Sequence, residues 1–259
     1  MKKTCWLIGA SSGIGYELAK KFALNNYDVI ISARSLDKLQ QLKSEIAALN
    51  SPDCGQIFVE KIDVEDYNSV TQCWQNINKV VKDIDLVIFA SAIYERMALQ
   101  DFNLEVAKKI MHVNFDGFLH ILNLIFPYFK NQKKGHIAVI ASVAGYRGLP
   151  QSMTYGAAKS ALINLCEGIY PELLTHNINL SIINPGFVKT QLTAKNNFAM
   201  PFIIDANAAS NRIFLGIVNK KFEIDFPKRF TLILKFLRIL PNFLYLPIIT
   251  KIYQKNLKH

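Results

Sequence analysis

The stretch Ile8-Gly9-Ala10-Ser11-Ser12-Gly13-Ile14-Gly15-Tyr16 decides the fold of this chain. An apolar run that begins at Thr4 comes before it and predicts a strand, and the amphipathic segment from Gly13 to Leu24 predicts a helix. Glycines let a backbone approach a pyrophosphate closely, and the N–H groups at a helix start attract its charge. A tight strand-to-helix turn without a ligand is the alternative.

Similar short apolar runs alternate with longer helical patterns along the rest of the chain. Five further runs predict strands: Val29 to Ala33, Ile57 to Ile62, Leu86 to Ala90, His136 to Ala141 and Asn179 to Ile183. This alternation predicts an α/β fold with a single Rossmann-like, doubly wound parallel sheet, helices on both faces and a C-terminal helical extension. We therefore expect one domain over residues 1–227 and an amphipathic, basic extension over residues 228–259.

The spacing of the glycines, G-x-x-x-G-x-G, resembles the N-terminal motif of the short-chain dehydrogenase/reductase family, T-G-x-x-x-G-x-G. The resemblance extends from Lys3 to about Pro227. It implies an oxidoreductase that transfers a hydride between a nicotinamide cofactor and a carbonyl or alcohol substrate. It also implies a small-molecule partner and a homo-oligomer.

The segment Tyr155-Gly156-Ala157-Ala158-Lys159 carries the catalytic signature. Residues four apart share one face of a helix, and an ammonium near a phenol lowers its pKa by favouring the phenolate. Ser142 lies thirteen residues before Tyr155, at the end of a predicted strand, as the family pattern requires. The segment Tyr16 to Lys20 has the same spacing but no upstream serine, so we assign it to the first helix.

The resemblance also assigns roles to other residues. Asn114 is similar to the family's fourth catalytic residue, which kinks a helix and holds a water in a proton relay. Arg34 follows the second strand, where its guanidinium would bind a 2′-phosphate and favour NADP(H) over NAD(H). The predicted cofactor-binding residues are Gly9, Ser11, Ser12, Gly13, Ile14, Gly15, Arg34, Asp63, Val64, Ala90, Tyr155, Lys159, Pro185, Gly186, Val188 and Thr190.

Two positions depart from the family pattern. Phe89-Ala90-Ser91-Ala92 stands where the family has N-N-A-G, and Ile8 replaces the family's threonine. An apolar contact in place of a polar one would account for both changes, and it weakens Ala90 as a standard cofactor contact. We interpret Phe89 as a core residue. A helix N-cap is the alternative role for Asp63.

The charge of +10 is concentrated at the C-terminal end of the 259-residue chain, because Lys220 to His259 contains nine Lys/Arg and two acidic residues. Basic residues among Phe, Leu and Tyr suit a helix lying on an anionic membrane surface. Packing over the active site or an oligomer interface is the alternative, and nucleic acid binding is not expected. The uncharged run from Ile239 to Thr250 is too short to span a bilayer.

The four cysteines form no metal-binding or disulfide pattern, so we expect no metal site and a cytoplasmic protein. If the extension binds a membrane, we expect the protein to be peripheral on its inner face. A mobile substrate lid is expected over Gln191 to Ile204. Its apolar residues Phe198, Met200, Phe202 and Ile203 suggest a hydrophobic substrate.

A catalytically silent NADP(H)-binding redox sensor and a membrane-recruited interaction protein are the alternative functions.

Overall fold

The computed structural model describes residues 2–196 and 200–257, and its centre is a seven-stranded parallel sheet. The strands are β1 (Lys3–Ile8), β2 (Tyr27–Ala33), β3 (Ile57–Lys61), β4 (Leu86–Phe89), β5 (Gly135–Ile140), β6 (Ile178–Pro185), β7 (Val188–Lys189), β8 (Ile204–Asp205) and β9 (Glu223–Phe226). The order in the sheet is β3-β2-β1-β4-β5-β6-β9, and β7 pairs with β8 separately. This arrangement confirms the predicted doubly wound α/β fold.

Helices cover both faces of the sheet. They are α1 (Gly13–Ala23), α2 (Leu36–Ala48), α3 (Tyr67–Val80), α4 (Leu104–Met111), α5 (Gly117–Gln132), α6 (Met153–Thr175), α7 (Ala206–Val218), α8 (Lys228–Ile239) and α9 (Asn242–Leu257). Successive strand residues point to opposite faces, so Trp6 and Ile8 pack with α3, α5 and α6, whereas Cys5 and Leu7 pack with α1, α2 and α7. Two apolar cores therefore sandwich the sheet.

All six predicted strands form, whereas β7, β8 and β9 were not predicted. The four residues of β9, Glu-Ile-Asp-Phe, include two carboxylates, so this strand contains no extended apolar run. These carboxylates are stabilised by lysines from α8, a tertiary contact that a local pattern does not reveal.

The strand order reverses between β1 and β4, because the chain first builds outward to β3 and then returns to the other side of β1. Ligands of open α/β sheets bind at the carboxyl ends of the strands at such a switch point. The glycine-rich turn after β1 and the ends of β4, β5 and β6 all lie at this edge, so the topology brings the predicted site together.

Helices α8 and α9 form the C-terminal extension, and α8 begins at Lys228, directly after Pro227. The Arg147 guanidinium donates a hydrogen bond to the Leu237 carbonyl (2.8 Å), and the Tyr245 hydroxyl donates one to the Gly148 carbonyl (2.7 Å). The extension therefore packs against the segment that follows the end of β5. Within the described ranges, no helix combines the length and apolarity needed to cross a membrane. The division into two domains at Pro227 stays a prediction.

Candidate active site

The glycine-rich turn lies close to the backbone that follows β4. Gly9 has a φ of +96°, and a Cβ at this position would lie 2.5 Å from the Ser91 backbone nitrogen. Only glycine avoids both the left-handed strain and this clash. The turn can therefore fold back to the edge of the sheet and open a cleft above β1 and β4.

The first turn of α1 faces this cleft with its backbone N–H groups uncapped. Ser12 is the N-cap residue, but its side chain makes no capping hydrogen bond, and the first turn contains no acidic residue. Uncapped N–H groups and the positive end of the helix dipole suit a phosphate group. The local structure therefore fits a pyrophosphate.

The cleft has a volume of about 330 Å³ and is lined by every residue that the sequence analysis assigned to the cofactor. At one end lie Arg34, Lys38 and Asp63; at the other lie Tyr155, Lys159 and the segment from Pro185 to Thr190. The side chains present thus fit a dinucleotide that extends from β2 to β6. Asp63 is not the N-cap of α3, since Asp66 fills that position by accepting from the Asn68 N–H.

Arg34 lies at the end of the cleft where the adenosine ribose of a dinucleotide would bind. Its side chain is 55% exposed and its Nη1 lies 3.7 Å from a carboxylate oxygen of Glu65. This exposed pair is weak because water screens it, so the guanidinium remains available to an additional anion. Glu65 is a neighbour that the sequence analysis did not consider.

Ser142 is held at the end of β5 by a tight 3-10 turn, Val143–Gly145, that packs on α6. The Ser142 Oγ accepts a hydrogen bond of 3.1 Å from the Ala144 N–H. A Cβ at Gly145 would lie 2.6 Å from the Lys159 carbonyl carbon, so only glycine permits this close approach. The packing brings Ser142 to the helix face that carries Tyr155, and both residues line the cleft.

The pKa values of Tyr155 and Lys159 move in opposite directions, and burial is the main cause of both shifts. Burial raises the pKa of Tyr155 to about 12, although the hydrogen bond with Ser142 lowers it. Burial lowers the pKa of Lys159 to about 7. The Lys159 Nζ donates to the Ile140 carbonyl (2.9 Å) and lies 5.7 Å from the centre of the Tyr155 ring. The expected lowering of the Tyr155 pKa by Lys159 does not appear among the causes of its shift.

Asn114 is fully buried in a π-helical turn, His112–Asp116, between α4 and α5. Its side-chain amide donates to the Ile93 carbonyl (2.9 Å) and accepts from the Ile93 N–H (2.8 Å). Asn114 thus fixes the segment after β4, which forms a wall of the cleft. It lies behind this wall and does not line the cleft itself.

Comparisons with known proteins agree with this geometry. The family model described as short chain dehydrogenase matches residues 3–200. The chain belongs to the short-chain dehydrogenase family. An uncharacterised oxidoreductase of Myxococcus xanthus is 29% identical over 245 residues, which is 94% of each chain.

Solved structures share the fold of this short-chain dehydrogenase. A short-chain dehydrogenase of Sphingobium yanoikuyae in complex with NADPH has a TM-score of 0.79 at 19% identity and covers 87% of this chain and 88% of its own. A family member from Burkholderia phymatum in complex with NAD has a TM-score of 0.77 at 20% identity, with 86% and 88% covered. Nicotinamide cofactors of both kinds thus occur among proteins of this fold.

The departures from the family motif lie beside the cleft of the dehydrogenase. Ile8 and Phe89 are fully buried neighbours on β1 and β4, and Phe89 packs against Phe118 with ring centres 5.6 Å apart. The Ala90 N–H donates to the Ile8 carbonyl (2.8 Å). Phe89 is therefore a core residue, as interpreted above, and Ala90 contributes to the cleft with little more than its backbone.

The second Tyr-x-x-x-Lys segment lies away from the cleft. Tyr16 and Lys20 both contact Glu45 of α2, and the Lys20 Nζ lies 2.8 Å from its carboxylate. These residues join two surface helices. The pair lies on α1, the helix to which the sequence analysis assigned it, and contacts α2.

A second cavity of about 280 Å³ adjoins the cofactor cleft, and the sequence analysis did not identify most of its walls. The Tyr94 ring lies edge-on to Tyr155, with centres 5.0 Å apart. Other walls come from the extension, as described below. Of the predicted lid residues, Leu192, Thr193 and Asn196 line the cavity; Met200, Phe202 and Ile203 do not, and Phe198 lies outside the described residues.

Proposed function

We propose that this dehydrogenase reduces a hydrophobic carbonyl compound with NADPH through a Ser-Tyr-Lys mechanism. One observation carries the proposal: Ser142 and Tyr155 line both the cofactor cleft and the second cavity. A hydride donor in the first space and a carbonyl in the second would meet at these two hydroxyl groups. The substrate site is therefore assigned to the second cavity.

Each catalytic residue has a role in this proposal. Bound NADPH supplies the hydride, and the phosphate-binding turn and the segment from Pro185 to Thr190 would hold it. The Ser142 hydroxyl donates a hydrogen bond to the substrate oxygen, and the Tyr155 hydroxyl gives it a proton. Lys159 would hold the nicotinamide ribose. Because the Asn114 side chain is bonded to Ile93, we assign its part in a proton relay to its main chain at the π-helical turn.

The protonation state of Tyr155 favours the reductive direction. A phenol whose pKa is raised to about 12 is protonated at neutral pH and can act as a donor. Oxidation of an alcohol would require the phenolate instead. The preference for NADP(H) is supported by Arg34, since no carboxylate takes its place at the end of β2.

Replacement of Tyr155 tests the mechanism. We expect Tyr155→Phe to lower kcat for carbonyl reduction by about 10² to 10⁴ because it removes the proton donor, and to lower NADPH affinity far less because the other residues that line the cleft remain. NADPH oxidation and fluorescence titration measure the two effects. Tyr16→Phe is the matched control, since it alters the second segment of the same spacing; equal turnover of the Tyr155→Phe variant and the wild type would refute the proposal.

The same assays separate the alternatives. A silent redox sensor would bind NADPH with high affinity and reduce no compound in a broad screen of ketones and aldehydes. An interaction protein that uses the fold as a scaffold would show neither property. The convergence of Ser142, Tyr155 and Lys159 at one point favours the enzyme, because neither alternative requires it.

We place the enzyme in the cytoplasm, on the inner face of the membrane. All four cysteines are free thiols, which suits a reducing compartment. Phe236 of α8 and Phe243 of α9 are 60% and 75% exposed, and residues 226–259 contain seven Lys/Arg and no acidic residue. Exposed apolar side chains among cations suit an anionic lipid surface.

Sedimentation with vesicles tests this location. Phosphatidylglycerol vesicles should retain the wild type, and Phe236→Ser combined with Phe243→Ser should release it. Leu99→Ser is the control, because Leu99 is 81% exposed but lies far along the chain from the extension. Recovery of the wild type in the supernatant would contradict the proposal.

We also propose a homo-oligomer. Phe102, Leu104 and Leu119 are exposed apolar residues on or beside α4 and α5, and they provide a surface for a second copy. Light scattering of the purified protein tests this point, and a monomer at all concentrations would contradict it.

A further inference from the structure

The C-terminal extension forms a wall of the second cavity. Phe230 and Leu234 of α8 and Ile249, Ile252 and Tyr253 of α9 line it opposite the catalytic hydroxyl groups. Of its described lining residues, Arg96 alone is charged, and the Arg96 Nε donates to the Gln151 side-chain carbonyl (2.9 Å). The wall contributed by the extension is thus apolar and aromatic.

Arg147 holds both helices of the extension in place. Its guanidinium donates to the carbonyls of Leu237 and Leu240 at the end of α8 and to the Asn242 side chain (2.6 Å). The same group lies 3.8 Å from the centre of the Tyr245 ring, a cation–π contact. Arg147 follows Ser142 by five residues, so the catalytic segment and the extension are attached to each other.

A second set of contacts attaches α8 to β9. The Lys235 ammonium lies 2.6 Å from a Glu223 oxygen and 3.3 Å from an Asp225 oxygen. Glu223 also accepts a hydrogen bond from the Tyr146 hydroxyl (2.7 Å). Tyr146 is beside Arg147, so two independent anchors join the extension to the segment that follows Ser142.

We propose that α9 is the specificity wall of the substrate site, and that the cavity binds the alkyl chain of a medium-length ketone or aldehyde between Tyr155 and Tyr253. The inference rests on the proposed function, since it deepens the assignment of the same site. A cavity of about 280 Å³ lies near the lower limit of ligand pockets, about 300–1,000 Å³, and therefore suits a chain of medium length rather than a bulky ligand. A chain of that size would place its carbonyl at Ser142 and its end against Ile249 and Tyr253.

A homologous series of straight-chain methyl ketones, from hexanone to tetradecanone, tests the wall in the full-length protein. For Tyr253→Ala we expect the preferred ketone to become longer, and KM for the ketone that the wild type prefers to rise about tenfold, with kcat nearly unchanged. Ile249→Ala should shift the preference in the same direction by a smaller amount. Ile248→Ala is the matched control, because Ile248 is adjacent but is not part of the wall.

Calorimetric titration of the same ketones into the Tyr155→Phe protein requires no turnover. It measures the chain-length preference for binding even if the protein reduces no ketone. Failure of the specificity wall can therefore be distinguished from failure of the reductase proposal. An identical preferred length in wild type, Tyr253→Ala and Ile248→Ala would overturn the specificity wall. Absence of ketone binding in the titration would overturn it as well.

Discussion

Lys159 shows most clearly how the fold prepares a single residue for chemistry. Its side chain is almost fully buried between β5 and α6, with one backbone carbonyl as its hydrogen-bond partner. Burial disfavours the ammonium form and lowers the pKa to about 7. The residue therefore changes charge near neutral pH, far below the usual range of a lysine.

This titration predicts the pH dependence of reduction. Lys159 is protonated below its folded-state pKa and loses its charge as the pH rises through about 7. Because the ammonium would hold the nicotinamide ribose, kcat/KM should decline as the pH rises through this region. Lys159→Arg keeps its charge at every pH, so its profile should be flat there, even at a lower overall rate.

Steady-state rates at fixed ionic strength between pH 6 and pH 9 provide the measurement. A wild-type profile that is level across this range and declines only near the ordinary pKa of lysine would contradict the prediction. Tyr155 should contribute no loss of activity in this window, because its raised pKa keeps the phenol protonated.

At the scale of the element, β5 has a buried histidine near its first residue and is followed at its other end by Ser142, a candidate catalytic residue. His136 is the second residue of the strand, and its Nε2 lies 2.8 Å from the Ser181 hydroxyl on β6. Burial, and then the positive charges of Lys220 and Lys3, lower its pKa to about 4. A neutral histidine thus joins two central strands far from the active site.

His136 should make the protein sensitive to acid. Between pH 6.5 and pH 4 the unfolded chain binds a proton at this residue and the folded chain does not, so stability falls as the pH is lowered. The shift from 6.5 to about 4 corresponds to at most about 3 kcal/mol. His136→Gln should remove this part of the acid sensitivity, since glutamine stays neutral and can still bond to Ser181.

Urea unfolding at pH 7.5 and pH 4.5 measures the effect. The free energy of unfolding of the wild type should fall more between the two pH values than that of His136→Gln. Activity at neutral pH should be the same in both proteins. Equal losses in both proteins would show that His136 is already protonated in the folded state.

Comparison of particular elements shows how far the sequence could predict the structure. Strands such as β2 are buried on both faces and rich in β-branched residues, so their pattern is sufficient. The motif spacing predicted that Ser142, Tyr155 and Lys159 lie together, and all three line the same cleft, because residues four apart share one face of a helix. The position of α9 was not predictable: Tyr245 is buried, Ile249 lines the cavity and Ile248 is exposed, so no single apolar stripe indicates which face packs.

At the scale of the whole molecule, two cavities share one set of hydroxyl groups, and the cofactor cleft joins elements from β2 to β6. A ligand in this cleft contacts most of the sheet edge, so its binding should stabilise the entire fold. A ligand that binds only the folded state adds stability according to its concentration relative to Kd.

Thermal unfolding therefore reports cofactor preference. NADPH at roughly one hundred times its Kd should stabilise the wild type by about 3 kcal/mol. The Arg34→Ala variant should lose much of this NADPH-dependent stabilisation. The 2′-phosphate would lose the guanidinium that binds it, and the negative charge of Glu65 would remain nearby. Stabilisation by NADH serves as the internal control and should be the same in both proteins. If Arg34→Ala reduced the stabilisation by NADH as much as that by NADPH, Arg34 would not recognise the 2′-phosphate.

The attachment of the extension through Arg147 has a consequence for synthesis on the ribosome. Chains emerge from their amino end, so every residue that lines the cofactor cleft is available before α9 appears. We therefore expect cofactor binding to become possible while Arg147 still lacks the partners Asn242 and Tyr245. On this expectation, the capacity to bind the cofactor arises before α9 completes the wall of the second cavity.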